Sequence, residues 1–496
     1  MSYAHLTEHY RQLSHMQNVL GLLQWDMSTM MPKGSAQARA EQVTVMNSAC
    51  HKLQTNPAVA DWLSAAENES LSNWETANLR EMARDYRQAT ALPADLVEAL
   101  SNAISQCEIT WLKARPANDF NELRPHLERV FELTRQKAQV LADASGLSPY
   151  DALLDLYEPD CTSAEIDSLF TELTEFLPNL VSEIIEYQQS KGPILQPDGP
   201  FDINIQKRIG QKLMANLGFD FDHGRLDVSA HPFCGGSPDD IRITTRYTDQ
   251  DFSQSIMGVI HETGHALYER GLPASFRGQP VGRARSMGIH ESQSLLMEMQ
   301  ACRSPQFISY LAPILRDSFG GVGPAWETPA IQRNYLRVER SLIRVDADEA
   351  TYPLHVILRY ELEKALLSGD LSVKELPGAW NERMRALIGI APPTDTNGCM
   401  QDIHWMMGSV GYFPTYTLGA LNAAQLFDAA TRDRPEILTD LSEGRFTNLL
   451  EWVREKVHTR GSSVSSRELI IDATGQPLDA SIFRRHLERR YLERGQ

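Results

Sequence analysis

Residues 252–268 read FSQSIMGVIHETGHALY and are the most informative segment of this 496-residue chain. Their high density of apolar residues indicates a buried helix. On such a helix His261 and His265, which are four residues apart, lie on the same face. Two imidazoles arranged in this way can bind one zinc ion, and Glu262 between them is placed to reach a water molecule beside that ion.

A catalytic zinc site takes a third ligand from the protein and keeps a fourth position for water. The extended motif HExxHxxGxxH is excluded, because Tyr268 and Gly271 stand where it requires glycine and histidine. The third ligand is therefore expected from a later segment, most often a glutamate on a neighbouring helix. An apolar helix begins near Gly288, and within it we predict Glu291 as the ligand. The alternative is Glu298, two turns further along the same face.

Composition and charge exclude several classes of protein. The chain carries 47 basic and 65 acidic residues, a net charge of −18 with neutral histidines. This acidity argues against a nucleic-acid partner, whose phosphates need clustered lysine and arginine, and against attachment to anionic membranes. We find no secretory signal and no apolar run of the roughly 20 residues that span a bilayer. The six cysteines occur singly, which indicates free thiols, so we predict a cytoplasmic protein.

Hydrophobic patterning predicts a mainly α-helical protein. In residues 3–190 apolar side chains return at three- and four-residue steps, as in one-faced helices. Between residues 195 and 250 two segments, 226–233 and 240–247, are typical of strands, with the loop CGGSPD between them. We expect these strands to form a small antiparallel sheet. Residues 1–496 are predicted to be one unit with a helical part (1–190), a β region (195–250) and a second helical part (251–496).

Seven motifs in order along the chain resemble those of the carboxypeptidase Taq family of metallocarboxypeptidases. They are LQWDMSTMMP (23–32), HPF (231–233), DIRIT (240–244), HETGH (261–265), HESQ (290–293), IRVDAD (343–348) and GCMQDIHW (398–405). The resemblance implies an enzyme that removes single residues from the C-termini of peptides. It also implies a homodimer, and a mostly helical fold with a deep groove, similar to neurolysin and angiotensin-converting enzyme. By the same resemblance one zinc or cobalt ion per chain is held by His261, His265 and Glu291, with Glu262 as general base.

Other residues are candidates for binding the substrate and the reacting oxygen. The oxyanion that forms in peptide hydrolysis requires a second donor, and His404 and Tyr412 lie in a polar, aromatic segment that could supply it. His231 precedes Pro232, so it is held in extended geometry and is predicted to bind the substrate backbone. Residues 240–247 are expected to present an open strand edge to which an extended peptide adds main-chain hydrogen bonds.

An exopeptidase must also recognise a free carboxylate, which arginine binds through two hydrogen bonds. Arg344 is the predicted anchor, with Asp346 or Asp348 orienting it. The alternatives are Arg242 and Arg359.

Two other functions stay open at this point. A zinc oligoendopeptidase or a dipeptidyl carboxypeptidase on the same scaffold would differ only in where the groove is blocked. A helical interaction scaffold without catalysis would carry the HExxH motif by coincidence. It is disfavoured because Glu262 and Glu291 accompany the histidine pair.

Overall fold

The computed structural model describes residues 2–494, and most of them are helical. The first helices are α1 (Ser2–Thr29), α2 (Ala36–Gln54), α3 (Ala58–Ala66), α4 (Asn73–Ala91), α5 (Ala94–Ala117), α6 (Phe120–Ser145), α7 (Pro149–Leu154), α8 (Ser163–Ser190) and α9 (Ile203–Leu217). Three strands follow, β1 (Gly224–Val228), β2 (Cys234–Ser237) and β3 (Asp240–Thr245). The prediction of a mainly α-helical chain is confirmed.

The second helical part begins with α10 (Phe252–Gly271), which contains the HExxH motif. It continues with α11 (Met287–Leu295), α12 (Pro305–Phe319), α13 (Thr328–Tyr335), α14 (Tyr352–Ser368), α15 (Leu376–Leu387), α16 (Pro414–Asp433), α17 (Glu436–Ser442), α18 (Thr447–Lys456), α19 (Ser466–Thr474) and α20 (Ala480–Leu492). A π-helix, Leu296–Ala301, directly extends α11. None of the helices within residues 2–494 is long and apolar enough to cross a membrane.

Local chemistry sets many of the helix ends. Ser72 and Thr162 form capping boxes that start α4 and α8, in which the hydroxyl and a glutamate three residues later satisfy free backbone N–H groups. Gly146 adopts a left-handed conformation (φ 76°) that ends α6, a conformation that glycine reaches without steric cost. The helical prediction for residues 3–190 is therefore confirmed, although Pro116, which predicted a break, lies in the last turn of α5.

The predicted antiparallel sheet is wrong in its topology. The strand order is β1-β3-β2, with β1 parallel to β3 and β2 antiparallel to it. The missed strand is β2, because its two glycines, Gly235 and Gly236, are typical of a loop. Gly236 has a φ of 97°, and a Cβ there would lie 2.0 Å from the carbonyl oxygen of Asp240, so the tight turn into β3 requires glycine.

This topology also corrects the expected open edge at residues 240–247. Strand β3 lies in the centre of the sheet and is paired on both sides, so it offers no edge to a peptide. The two edges belong to β1 and β2. Strand β2 packs against α10, and the neighbouring Phe233 contacts Trp25 of α1, with ring centroids 5.1 Å apart.

Helix α16 lies between two large hydrophobic cores. On one side it contributes Leu418 and Leu421 to a core shared with α5, α6, α8, α14 and α15. On the other side it contributes Ala423 and Leu426 to a core shared with α9, α10, α11, α12 and α18. A smaller core joins α1, α2, α3 and α4. Because α16 also packs along α11, it fixes where the segment after the HExxH motif lies.

Candidate active site

Helix α10 presents the two motif histidines to one point. Its first turn is capped by Asp251, whose carboxylate accepts the backbone N–H of Ser253. The rings of His261 and His265 are 4.9 Å apart and nearly perpendicular. Their side chains are largely buried, with 22% and 13% of the surface exposed.

Two glycines bring Glu291 to these rings. A Cβ on Gly264 of α10 would lie 2.6 Å from the carbonyl oxygen of Gln293, and a Cβ on Gly419 of α16 would lie 2.6 Å from Cγ of Glu291. Helix α11 is therefore packed closely on both sides. As a result Oε2 of Glu291 lies 3.5 Å from Nε2 of His265 and 3.9 Å from Nε2 of His261.

These three side chains fit a divalent cation. Their ligand atoms all lie within 4.8 Å of one another, and they form the one cluster of this kind found in residues 2–494. Two imidazole nitrogens and one carboxylate oxygen are a donor set typical of catalytic zinc sites. Burial alone would raise the pKa of Glu291, but the facing histidines lower it to about 2, so the carboxylate is ionised and available as a ligand.

Glu262 follows His261 on α10 but is not part of the cluster. It is buried, with 6% of its surface exposed, and burial raises its pKa to about 7 although the charge of His261 opposes the shift. Strand β2, which contains Cys234, packs against α10, the helix that carries Glu262.

Glu298, predicted as the alternative ligand, contacts the other nitrogen of His261. Its Oε2 lies 3.0 Å from Nδ1 of that ring, on the opposite side from Nε2. Its Oε1 accepts a hydrogen bond from Nη2 of Arg303 at 2.8 Å. Burial would raise the pKa of Glu298, but Arg303 and His261 lower it, so the side chain is anionic.

His265 has a different set of partners. Its Nδ1 lies 3.2 Å from the carbonyl oxygen of His290 and 2.7 Å from Nδ1 of the same residue. Nε2 of His290 in turn lies 2.9 Å from Oε1 of Glu269. His290 therefore connects the second motif histidine to a carboxylate one turn further along α10.

The predicted oxyanion donors lie together in the segment before α16. Nε2 of His404 lies 3.1 Å from the hydroxyl oxygen of Tyr416, and the rings of Tyr412 and Tyr416 are 5.3 Å apart. Burial raises the pKa of both tyrosines. Tyr416 lies on α16 three residues before Gly419, which packs against Glu291. Burial lowers the pKa of His404 to about 4, so its ring is neutral, and its Nδ1 has no partner among the described residues.

The predicted anchor Arg344 is buried, with 5% of its surface exposed. Its Nε and Nη2 donate to Oδ1 of Asp402 at 3.1 and 2.8 Å, and its Nη1 donates to the hydroxyl of Tyr352 at 3.0 Å. Arg359 donates to Oδ2 of Asp402 at 2.6 Å. Two guanidinium groups thus share one carboxylate, which leaves this cluster with a net positive charge.

The predicted orientation of Arg344 by Asp346 or Asp348 is wrong. Asp402, 58 residues further along the chain, takes that place. Asp348 instead accepts the backbone N–H groups of Ala350 and Thr351. Its carboxylate is therefore used to shape the turn before α14.

The remaining predicted substrate contacts lie in the β region. His231 is exposed in the link between β1 and β2, and its carbonyl oxygen accepts the hydroxyl of Ser229. Arg242, on the central strand, donates Nε and Nη2 to Asp240 at 2.9 and 2.8 Å. Neither residue belongs to the cluster of ligand atoms.

Comparison with known proteins gives the family. The model of the carboxypeptidase Taq (M32) metallopeptidases matches residues 5–491. This chain belongs to that family. Among M32 relatives, thermostable carboxypeptidase 1 of Thermus thermophilus is 39% identical, with 99% of this chain and 98% of that protein covered. Carboxypeptidase 1 of Bacillus subtilis is 34% identical, with 97% and 96% covered.

A solved M32 structure has the same fold. Metallocarboxypeptidase 1 of Trypanosoma cruzi superposes with a TM-score of 0.97 at 41% identity, covering 99% of each chain. Because the chain belongs to this family and is similar to these carboxypeptidases over nearly its whole length, it is a metallocarboxypeptidase, an enzyme that hydrolyses peptides.

Sequence reasoning missed one buried carboxylate in this M32 chain that supports the site. Glu363 of α14 is fully buried and accepts hydrogen bonds from the hydroxyl of Tyr150 (2.6 Å), Nε1 of Trp405 (3.1 Å) and the backbone N–H of Gly411 (3.1 Å). It thereby holds the irregular segment that contains His404. A lone glutamate on a helix carries no local signal of this role.

Proposed function

We propose that this metallocarboxypeptidase holds one zinc ion per chain with His261, His265 and Glu291 and releases single amino acids from the C-termini of peptides. The observation that carries the metal assignment is the convergence of two imidazole nitrogens and one carboxylate oxygen within 4.8 Å. Cobalt, which accepts the same nitrogen and oxygen donors, is the alternative ion.

Glu262 is proposed as the general base and then the general acid. When bound, the ion supplies a Lewis acid that lowers the pKa of water and polarises the scissile carbonyl. Glu262 accepts the proton of the water whose oxygen bonds to the carbonyl carbon. It then passes this proton to the nitrogen as the C–N bond breaks, so that an amine leaves. Its burial keeps bulk water from competing for that proton.

His404 and Tyr412 are proposed to donate hydrogen bonds to the oxyanion. The imidazole of His404 is buried and neutral, and its Nδ1 has no hydrogen-bond partner among residues 2–494. This nitrogen can therefore donate a hydrogen bond to a substrate oxygen. Tyr416, whose hydroxyl contacts His404, fixes the orientation of that ring. Loss of one such donor typically costs about 10²–10³-fold in kcat.

Arg344 is proposed to bind the C-terminal carboxylate of the substrate. The support is electrostatic: within residues 2–494 Arg344 and Arg359 share Asp402 as their one carboxylate partner, so a second carboxylate would neutralise the cluster. His231 is kept as a proposed contact to the substrate backbone. Arg242, predicted as an alternative anchor, is proposed instead to contact the substrate further from its C-terminus, because both residues lie at the small sheet beside α10.

Product analysis on one decapeptide tests the proposed activity. Single residues released in order from the C-terminus are expected. Dipeptides would identify a dipeptidyl carboxypeptidase, and internal fragments would identify an oligoendopeptidase. Either of these outcomes contradicts the proposal.

The anchor is tested with the same peptide and its C-terminal amide. Arg344→Ala should lower kcat/KM for the free acid by about 10- to 100-fold, as expected for a charge-assisted hydrogen bond pair, and change the amide far less. Arg242→Ala is the matched control and should not distinguish the two substrates. An equal loss on acid and amide in the Arg344 variant would contradict its role as the anchor.

We also propose that residues 1–496 work as one unit, as a homodimer in the cytoplasm. The family resemblance supports the dimer, and six free cysteines are consistent with a reducing compartment. Sedimentation equilibrium checks the dimer, and a monomer at micromolar concentration would contradict it.

A further inference from the structure

Helix α11 and its π-helical extension, residues 287–301, carry more than the proposed ligand Glu291. His290 precedes the ligand and contacts His265, while Glu298 follows it and contacts His261. Glu291 and Glu298 both face α10, where they lie near Nε2 and Nδ1 of His261 respectively. A π-helix inside an α-helix is rare and is frequent at functional sites.

The ligand role of the two imidazoles fixes where their hydrogens lie. If Nε2 of each ring faces the ion, each Nδ1 must carry the hydrogen. For His261 this N–H donates to Oε2 of Glu298 at 3.0 Å. The other oxygen of Glu298 is held by Arg303, whose Nη1 also donates to the carbonyl oxygen of Tyr335 at 2.9 Å. Both oxygens of the Glu298 carboxylate are therefore held by hydrogen bonds.

For His265 the hydrogen on Nδ1 has two acceptors. One is the carbonyl oxygen of His290 at 3.2 Å, and the other is Nδ1 of the same residue at 2.7 Å. Two nitrogens at this distance share one hydrogen, so Nδ1 of His290 is bare. Its own hydrogen then lies on Nε2 and donates to Glu269 at 2.9 Å. His265 would thus keep a backbone acceptor even without the ring of His290.

We propose that Glu298 and His290 are positioning residues for the metal site, which fix the tautomer and the direction of the His261 and His265 rings respectively. The inference rests on the proposed metal site. It assigns the larger effect to Glu298, because its carboxylate is the one acceptor of His261 Nδ1 among residues 2–494 and is held on its other oxygen by Arg303. His290 has the smaller effect, because its own carbonyl oxygen can replace its ring as the acceptor.

Zinc affinity of the metal-free protein tests this ordering without any measurement of catalysis. Titration of Zn²⁺ in competition with a chromophoric chelator should show about 10- to 100-fold weaker binding for Glu298→Ala, as for loss of other carboxylates behind a histidine ligand. His290→Ala should lose less than about tenfold. Glu298→Gln should lie between the wild type and Glu298→Ala, because its one oxygen can accept from His261 or from Arg303 but not from both.

Asp440→Ala is the matched control. Asp440 is also a buried carboxylate that accepts from an arginine, with Nη2 of Arg445 at 2.7 Å, but it lies on α17 away from the ligands. The zinc affinity of the Asp440→Ala variant should equal that of the wild type. The absorption spectrum of the Co²⁺-loaded protein should shift in Glu298→Ala and not in Asp440→Ala, because only the former alters a ligand ring.

The possible failures are distinguishable. A wild-type protein that binds no zinc would refute the proposed metal site and this inference with it. Tight binding in the wild type together with an unchanged affinity in Glu298→Ala and Glu298→Gln would refute the inference alone. A larger loss in His290→Ala than in Glu298→Ala would overturn the ordering and hence the assignment of the acceptors.

Discussion

Replacing Gly419 by alanine tests whether the packing of α11 against α16 sets the geometry of the metal site. A Cβ at this position would lie 2.6 Å from Cγ and 2.7 Å from Cβ of Glu291. Ordinary carbon contacts are about 3.5–4.0 Å, so the two helices must separate by roughly 1 Å. A new rotamer of Glu291 cannot relieve the clash, because its Cβ is attached to the backbone.

The effect on the site should exceed the effect on stability. Overpacking costs about 1–3 kcal/mol, and alanine regains about 1 kcal/mol over glycine inside a helix, so the metal-free protein should lose no more than about 2 kcal/mol. Metal sites tolerate ligand displacements of only about 0.2 Å, and a shift of about 1 Å can cost about 100-fold in rate. We therefore expect zinc affinity to fall by at least about tenfold and kcat/KM by about 100-fold.

Chelator competition and peptide hydrolysis measure these two quantities, and Gly21→Ala is the matched control. Gly21 also lies inside a helix, α1, but a Cβ there meets no atom within 4 Å. Its alanine variant should be up to about 1 kcal/mol more stable, with unchanged zinc affinity. If the Gly419 variant kept zinc affinity and kcat/KM within about threefold of the wild type, helix spacing would not be what places Glu291.

Three further outcomes are expected. Glu262→Gln should keep zinc by elemental analysis and lose about 10²–10⁴-fold in kcat, and a near-normal rate would remove it as the general base. A chelator should abolish hydrolysis and lower the melting temperature, with zinc restoring both, because the ion binds only the folded chain; hydrolysis by fully metal-free protein would contradict this. Glu349 is buried, which raises its pKa, but Arg490 and His486 lower it well below its usual value. The charged Glu349 carboxylate therefore stabilises the folded protein fully above its unfolded-state pKa of about 4.3. This stabilisation is lost as the pH falls through the lower folded-state pKa. Denaturant unfolding should show Glu349→Gln less stable by about 3–5 kcal/mol at pH 7, with the difference narrowing below about pH 4; a difference independent of pH would refute the direction of the shift.

The sequence by itself predicted the structural features that depend on residues close together in the chain. Helical periodicity placed His261 and His265 on one face, because residues four apart lie one above the other whatever surrounds the helix. The helices of residues 3–190 and the small β region could be predicted for the same reason. Seven motifs in order along the chain indicated the family, and the match of its model to residues 5–491 confirms it.

Contacts between distant segments were decided only by the tertiary structure. The sequence placed Glu291 and Glu298 on one face but could not say which nitrogen of a histidine each would meet, since that depends on how closely α10, α11 and α16 pack at Gly264 and Gly419. Strand β2 escaped prediction because its pairing with β3, not the propensity of its glycines, makes it a strand. Asp402 became the partner of Arg344 across 58 residues. In each case the local sequence was compatible with several partners. Packing and burial in the folded protein gave one of these arrangements the lowest free energy.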